Sequence, residues 1–145
     1  MELKIPPPVV LLSCALIMKL MPEIWQVTFS LSLIIGIICL AIIIDIWCLF
    51  AFFQQKTTAS PLSPSKTSTL ITSGIYRFSR NPMYLSLALY LIAWGLWLGN
   101  ITALIGVILF CLYITYFQII PEERHLENLF GDKYLQYKKS VRRWI

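Results

Sequence analysis

Apolar residues run along this chain in four long blocks, and polar residues collect between the blocks instead of alternating within them. Such unbroken runs are what a bilayer-crossing helix requires. The blocks cover residues 5–21, 24–53, 82–98 and 101–120. The first is short and spans only if Ile5 and the turn Pro6-Pro7-Pro8 contribute. The second exceeds the ~20 residues a hydrocarbon core needs, so it is expected to tilt or protrude. The last two are joined by Gly99-Asn100, a tight-turn signal, and are predicted to be antiparallel neighbours.

Between and after these blocks the pattern changes. Residues 57–69 hold Ser60-Pro61 and Ser63-Pro64-Ser65, which predicts an irregular, mobile loop. Beyond residue 120, Pro121 suits a first helical position, with Glu122 and Glu123 in the favoured acidic first turn. Leu126, Leu129 and Phe130 form an amphipathic stripe. Gly131 stops that helix, and a second piece carries Tyr134, Tyr137 and Val141 on one side. The predicted fold is a single all-α integral membrane domain over residues 1–145. It has about four transmembrane helices, a loop at 54–81 and an amphipathic helical tail at 121–143.

Composition supports the membrane class. Hydrophobic residues make up 58% and charged residues 13%, against roughly 45–50% and 25% in soluble domains. Mean hydropathy is +0.74, so a soluble globule would leave large apolar patches in water. No small-residue cleavage site follows the first apolar run, so no cleavable signal peptide is expected. Cys14, Cys39, Cys48 and Cys111 lie singly in apolar segments and read as packing residues. The lone His125 cannot build a zinc site by itself, and no metal is expected.

Charge orients the ends. The loop at 54–81 holds Lys56, Lys66, Arg77 and Arg80 with no acid, and the tail adds Arg124, Lys133, Lys138, Lys139, Arg142 and Arg143. The Gly99-Asn100 turn is uncharged, and the first turn has only Lys19 and Glu23. The positive-inside rule therefore predicts that loop, tail and both termini are cytoplasmic. Membrane lipids, not nucleic acid, are the expected surroundings, and the sequence leaves the oligomeric state open.

Two polar islands carry the candidate chemistry. Arg77 and Arg80 sit at the membrane surface with Tyr76 and Tyr84, where they also fit an aromatic belt with lipid-phosphate arginines. Glu122 and Glu123 have the wrong sign for anchors in an anionic leaflet. They make sense as partners for the arginines or for a cationic ligand, or else as acids at a helix N-terminus. His125 reads as an interfacial helix residue before it reads as a base. Asp45 lies in Ile44-Asp45-Ile46-Trp47. A carboxylate there costs roughly 2.5–3.5 kcal/mol in hydrocarbon, so it should face the bundle and find a partner. Arg77 and Arg80 are the expected partners.

Taken together, Gly74-x-Tyr76-Arg77-x-x-Arg80-Asn81-Pro82-Met83-Tyr84-Leu85, a hydrophobic hairpin, and Glu122-Glu123-x-x-Leu126-x-x-x-Phe130-Gly131-x-x-Tyr134-x-x-Tyr137 resemble the isoprenylcysteine carboxyl methyltransferase family. They also resemble the related phospholipid methyltransferases. The likeness covers roughly residues 73–143. It implies an S-adenosylmethionine-dependent transferase that methylates a lipidic or prenylated acceptor, with a carboxylate favoured, at the cytoplasmic face. Carried over residue by residue, it implies a cofactor site of Tyr76, Arg80, Asn81, Pro82, Tyr84, Glu122 and Glu123, and a catalytic set of Arg77, Arg80 and Glu123. Two departures stand out. Asn81 replaces a histidine common before the proline and cannot take a proton, and Ser86 stands where glycine is common.

Two other classes remain. A membrane reductase of the sterol-reductase type, using a nicotinamide cofactor, has a similar arginine-tyrosine layout. A non-enzymatic four-span scaffold would keep the cluster for docking. The Glu122-Glu123 pair and the short chain favour the methyltransferase.

Overall fold

The computed structural model describes residues 5–55 and 70–145. The expected loop at 57–69 lies outside the described residues. Among those described the chain is all-helical, with no β-strand and one isolated bridge between Gln26 and Asn100. Helix α1 (Pro7–Leu20) starts on prolines, whose missing N–H is not needed in a first turn. It buries Val10, Cys14 and Met18 at helical spacing. Helix α2 (Leu31–Gln55) buries Ala41, Ile44 and Cys48 in the same way and packs most extensively on α3 (Pro82–Leu98).

The second apolar block is not helical from its start. Its helix begins at Leu31, and the residues before it run along the turn that joins the hairpin. The Val27 N–H donates to Gly99 O (2.7 Å), and the Ile101 N–H donates to Trp25 O (3.3 Å). This pairing satisfies backbone groups on both segments, which is why the helix starts late. Gly99 caps α3 at φ 66°, and a Cβ there would lie 2.9 Å from Val27 O, so the turn needs glycine.

The hairpin returns through a 3-10 turn (Ile101–Leu104), α4 (Ile105–Ile114), a π-helical turn (Thr115–Ile119) and α5 (Ile120–Phe130). These form one rod, so Pro121 does not open a separate tail helix as its position suggested. The wider turn explains the continuity: the Ile120 N–H reaches back to Thr115 O just before the residue that has no N–H to give. Gly131, at φ 53°, ends α5, and α6 (Asp132–Ser140) follows. Leu126 and Phe130 pack inward, whereas Leu129 is exposed.

Two apolar cores result. One joins α1, α3 and α4 through Met18, Leu91, Phe110 and Ile114. Gly95 and Gly106 form the notch for Met18: a Cβ on Gly106 would meet Met18 Cγ at 2.3 Å. The second core joins α2 to α6 through Cys48, Ile75, Tyr76, Tyr134 and Tyr137. Outside, Leu12, Ile46, Phe50, Ile108 and Leu112 are each at least half exposed, an apolar surface that water would penalise. Leu31–Gln54 and Ile101–Phe130 are long and apolar enough to cross a membrane, while Pro7–Leu20 and Pro82–Leu98 are apolar but shorter.

Candidate active site

Three pieces of backbone deliver charge to one place. The 3-10 turn Gly74–Arg77 leads to Arg80, Asn81 opens α3 in a non-helical conformation, and the rod carries Glu122 and Glu123. The last residues then fold back over the first island. The Arg80 N–H donates to Arg142 O (3.0 Å), and Asn81 Nδ2 donates to Arg143 O (2.9 Å). Trp144 Nε1 reaches Thr115 Oγ1 at 3.3 Å, which pins this strap to the rod.

Glu123 is the hub. Arg143 grips it through Nε (3.0 Å) and Nη2 (2.9 Å), and Arg80 Nη2 lies 3.1 Å from Oε1. Lys138 stands 4.0 Å from its other oxygen and pairs with Glu127. The Arg80 and Glu123 side chains are only 8% and 6% exposed, so this ion pair is shielded from water. Bonding to Glu123 pushes the Arg143 guanidinium up from its ordinary value. Burial raises the Tyr134 and Tyr137 phenols well above their usual range and keeps both as neutral donors. Tyr137 Oη donates to Tyr76 O at 2.7 Å, tying α6 to the 3-10 turn.

Beside this hub is a cavity of about 470 Å³, a size that suits a small-molecule ligand. Arg80, Asn81, Pro82, Tyr84, Glu122 and Glu123 line it together with Tyr76, Tyr134 and Tyr137. The structure thus brings together every residue of the expected cofactor set. Two features make the wall reactive toward a charged guest. Arg80 Nε and Nη1 are buried and make no hydrogen bond of regular geometry among the described residues, although the Tyr134 hydroxyl interacts with the guanidinium. Glu122 is half-buried and accepts one hydrogen bond, from Tyr84 Oη at 3.1 Å.

Two expectations change. Arg77 is exposed and does not line the cavity, because the 3-10 turn directs Tyr76 inward and Arg77 outward. His125, expected as an interfacial helix residue before a base, does not line the cavity. Asp45 pairs with neither arginine: Tyr90 Oη donates to its Oδ2 (2.9 Å) and Ser86 Oγ to its Oδ1. Helical spacing sets this pairing, since Ser86 and Tyr90 lie one turn apart on α3 and face α2 together. Sequence reasoning missed Arg143, which read only as part of a basic tail. Tyr134 and Tyr137 stood in the quoted pattern, but their role in the cavity wall was not legible.

The fold is that of an all-helical membrane-type protein with a charged cavity at one end of its bundle. The phospholipid methyltransferase family matches residues 27–133, and the chain belongs to that family. An "Uncharacterized protein" of Haemophilus influenzae is 60% identical over 63 residues, covering 43% of this chain and 100% of that protein. The Protein-S-isoprenylcysteine O-methyltransferase of Schizosaccharomyces pombe is 35% identical over 80 residues, covering 53% of this chain and 33% of its own length. The Xenopus laevis protein of the same name is 36% identical over 77 residues, covering 53% and 27% respectively. The chain therefore aligns with a third or less of these two methyltransferases. No solved structure matches it.

Proposed function

We propose that this protein transfers a methyl group from S-adenosylmethionine to a lipidic or prenylated acceptor at the cytoplasmic face of a membrane. The observation that carries this reading is the state of Arg80. Its position is fixed by Glu123, yet two of its nitrogens, Nε and Nη1, make no regular hydrogen bond beside a cavity that also holds Glu122. A guanidinium with free donors and a half-buried carboxylate on one wall match the two ends of an amino-acid zwitterion.

The neighbouring glutamates divide the work. Glu123 is saturated by cations and serves to hold Arg80 and the strap. Glu122 has one neutral donor and would take the ammonium or ribose hydroxyls of the methyl donor. Arg80 would hold the donor's carboxylate through Nη1. Tyr84 orients Glu122, and Asn81 is committed to the strap. When bound, the donor supplies an electrophilic methyl on a sulfonium. Leu49, Phe52, Met83, Leu87 and Leu126 line the cavity with apolar surface, which would exclude water and admit a hydrophobic acceptor.

The basic residues flanking 82–120 support a cytoplasmic placement of the site, with four crossings and both ends on that side. Calorimetric titration of purified protein in micelles with S-adenosylmethionine and with a reduced nicotinamide tests the reading. Saturable binding of the first alone is expected. Binding of the nicotinamide alone, or of neither, overturns it.

A further inference from the structure

The two arginines of the first polar island part company. Arg80 turns into the charged hub, whereas Arg77 is exposed and forms no ion pair among the described residues. Phe78, beside it, is 72% exposed. An aromatic side chain left so bare contributes little to packing within the chain and marks a surface that something else covers. The strap repeats this composition. Arg142 is exposed and without an ion pair among the described residues, and Ile145 is 75% exposed.

Hydrogen bonds set the depth of these groups. The Arg80 N–H donates to Arg142 O, while Ser79 Oγ (3.5 Å) and Asn81 Nδ2 both donate to Arg143 O. Arg142 and Arg143 therefore lie level with the residues just outside α3, where a bilayer places its headgroups. Trp144 goes deeper. It packs against the first core and donates to Thr115, which opens the π-helical turn inside the fourth apolar block, roughly 7 Å short of its end at helical rise. From Arg142 to Trp144 the strap thus passes from basic to apolar going inward. That is the order of groups in a leaflet, phosphate outside and acyl chain within.

We infer that Arg77 and Arg142, with Phe78 and Ile145 beside them, form a docking surface for the headgroup phosphates of anionic phospholipids. The charge is complementary, because each guanidinium offers paired N–H groups to a phosphate and neither spends them on an acid of the chain. Glu123, the acid that the strap covers, is already matched by Arg80 and Arg143. The apolar neighbours gain as well, since Phe78 and Ile145 leave water for the acyl boundary. Arg142 and Arg143 are consecutive, so a lipid held by the first keeps the second seated on Glu123. The surface does not depend on the methyl-transfer reading.

The test titrates full-length protein in micelles with two brominated lipids of equal chain length, a phosphatidylglycerol and a phosphatidylcholine. Quenching of tryptophan fluorescence is read, and the difference between wild type and Trp144→Phe gives the strap's share. Half-quenching of that share is expected at a phosphatidylglycerol concentration about 20-fold or more below that of phosphatidylcholine, at about fivefold for each arginine. Arg77→Gln combined with Arg142→Gln is expected to bring the two lipids within about twofold of each other. Equal quenching by both lipids in wild type overturns the surface, a result that needs no variant to fold. A preference that survives the double glutamine variant overturns it too, as does one that Trp144→Phe leaves undiminished, because the lipid would then sit elsewhere. Displacement of phosphatidylglycerol by millimolar inorganic phosphate would assign the arginines to a free anion and refute the lipid surface.

Discussion

Replacing Glu123 with glutamine should cost far more stability than replacing Glu122 with glutamine, although the residues are adjacent and the chemical change is identical. In Glu123→Gln an amide –NH2 replaces one carboxylate oxygen inside a cage of guanidinium donors, and Arg80 becomes a buried cation without its counter-ion. Removing one partner of a buried ion pair costs about 3–5 kcal/mol. The remaining carbonyl oxygen still accepts one bond, which recovers about 1 kcal/mol. The Arg143 side chain is 35% exposed, so its share of the loss is within about 1 kcal/mol. The expected net loss of stability is about 2–4 kcal/mol. In Glu122→Gln the Tyr84 hydroxyl keeps an acceptor, and the loss should stay below about 1 kcal/mol. Reversible denaturation in micelles, followed by near-UV and far-UV circular dichroism, measures both. Equal stabilities, or a less stable Glu122→Gln, would refute the assignment of Glu123 as the structural hub.

Three further outcomes follow from other parts of the molecule. Arg80→Lys should keep an ion pair with Glu123 but lose S-adenosylmethionine affinity by about 10-fold or more in calorimetry, because an ammonium cannot present two N–H groups in a fixed plane. Gly106→Ala should destabilise the bundle by about 1–3 kcal/mol, since the new methyl would meet the fully buried Met18. Adding Met18→Ala should restore part of that loss in the same denaturation assay, and no restoration would mean the notch is not the cause. A membrane-impermeant maleimide applied to intact cells should label Glu23→Cys but not Lys133→Cys, and should reach the second only after permeabilisation. Labelling of Lys133→Cys in intact cells would invert the proposed orientation.

The apolar blocks, the Gly99-Asn100 turn and the break at Gly131 were readable because each has a local cause: unbroken hydrophobicity, a left-handed cap, a residue free of a Cβ. The meeting of Arg80 with Glu123 was readable because a hairpin returns its two ends to one side. What escaped reading depends on contacts far apart in sequence. Arg143 lies twenty residues beyond Glu123 in a stretch whose charge already had an adequate explanation as tail basicity. The partners of Asp45 were misassigned because an acid in an apolar helix suggests an arginine. Instead, two hydroxyls on a facing helix reached it first. The late start of α2 was passed over, although Trp25-Gln26-Val27-Thr28-Phe29-Ser30 alternates apolar and polar positions as extended chain does.

The π-helical turn at Thr115–Ile119 has a consequence for how the acids are aimed. Glu122 and Glu123 ride on a continuous rod, so their bearing is a matter of rotational phase, as with cams on a shaft. Each residue advances an α-helix by about 100°, and the wide turn contains one residue more than regular winding would use. Forcing all five residues into regular winding would swing both carboxylates about a quarter-turn away from Arg80, whereas deleting the surplus residue would leave their phase nearly unchanged. The alignment of the whole charged cluster thus rests on the wide turn absorbing one surplus residue, a full turn upstream of the nearest acid.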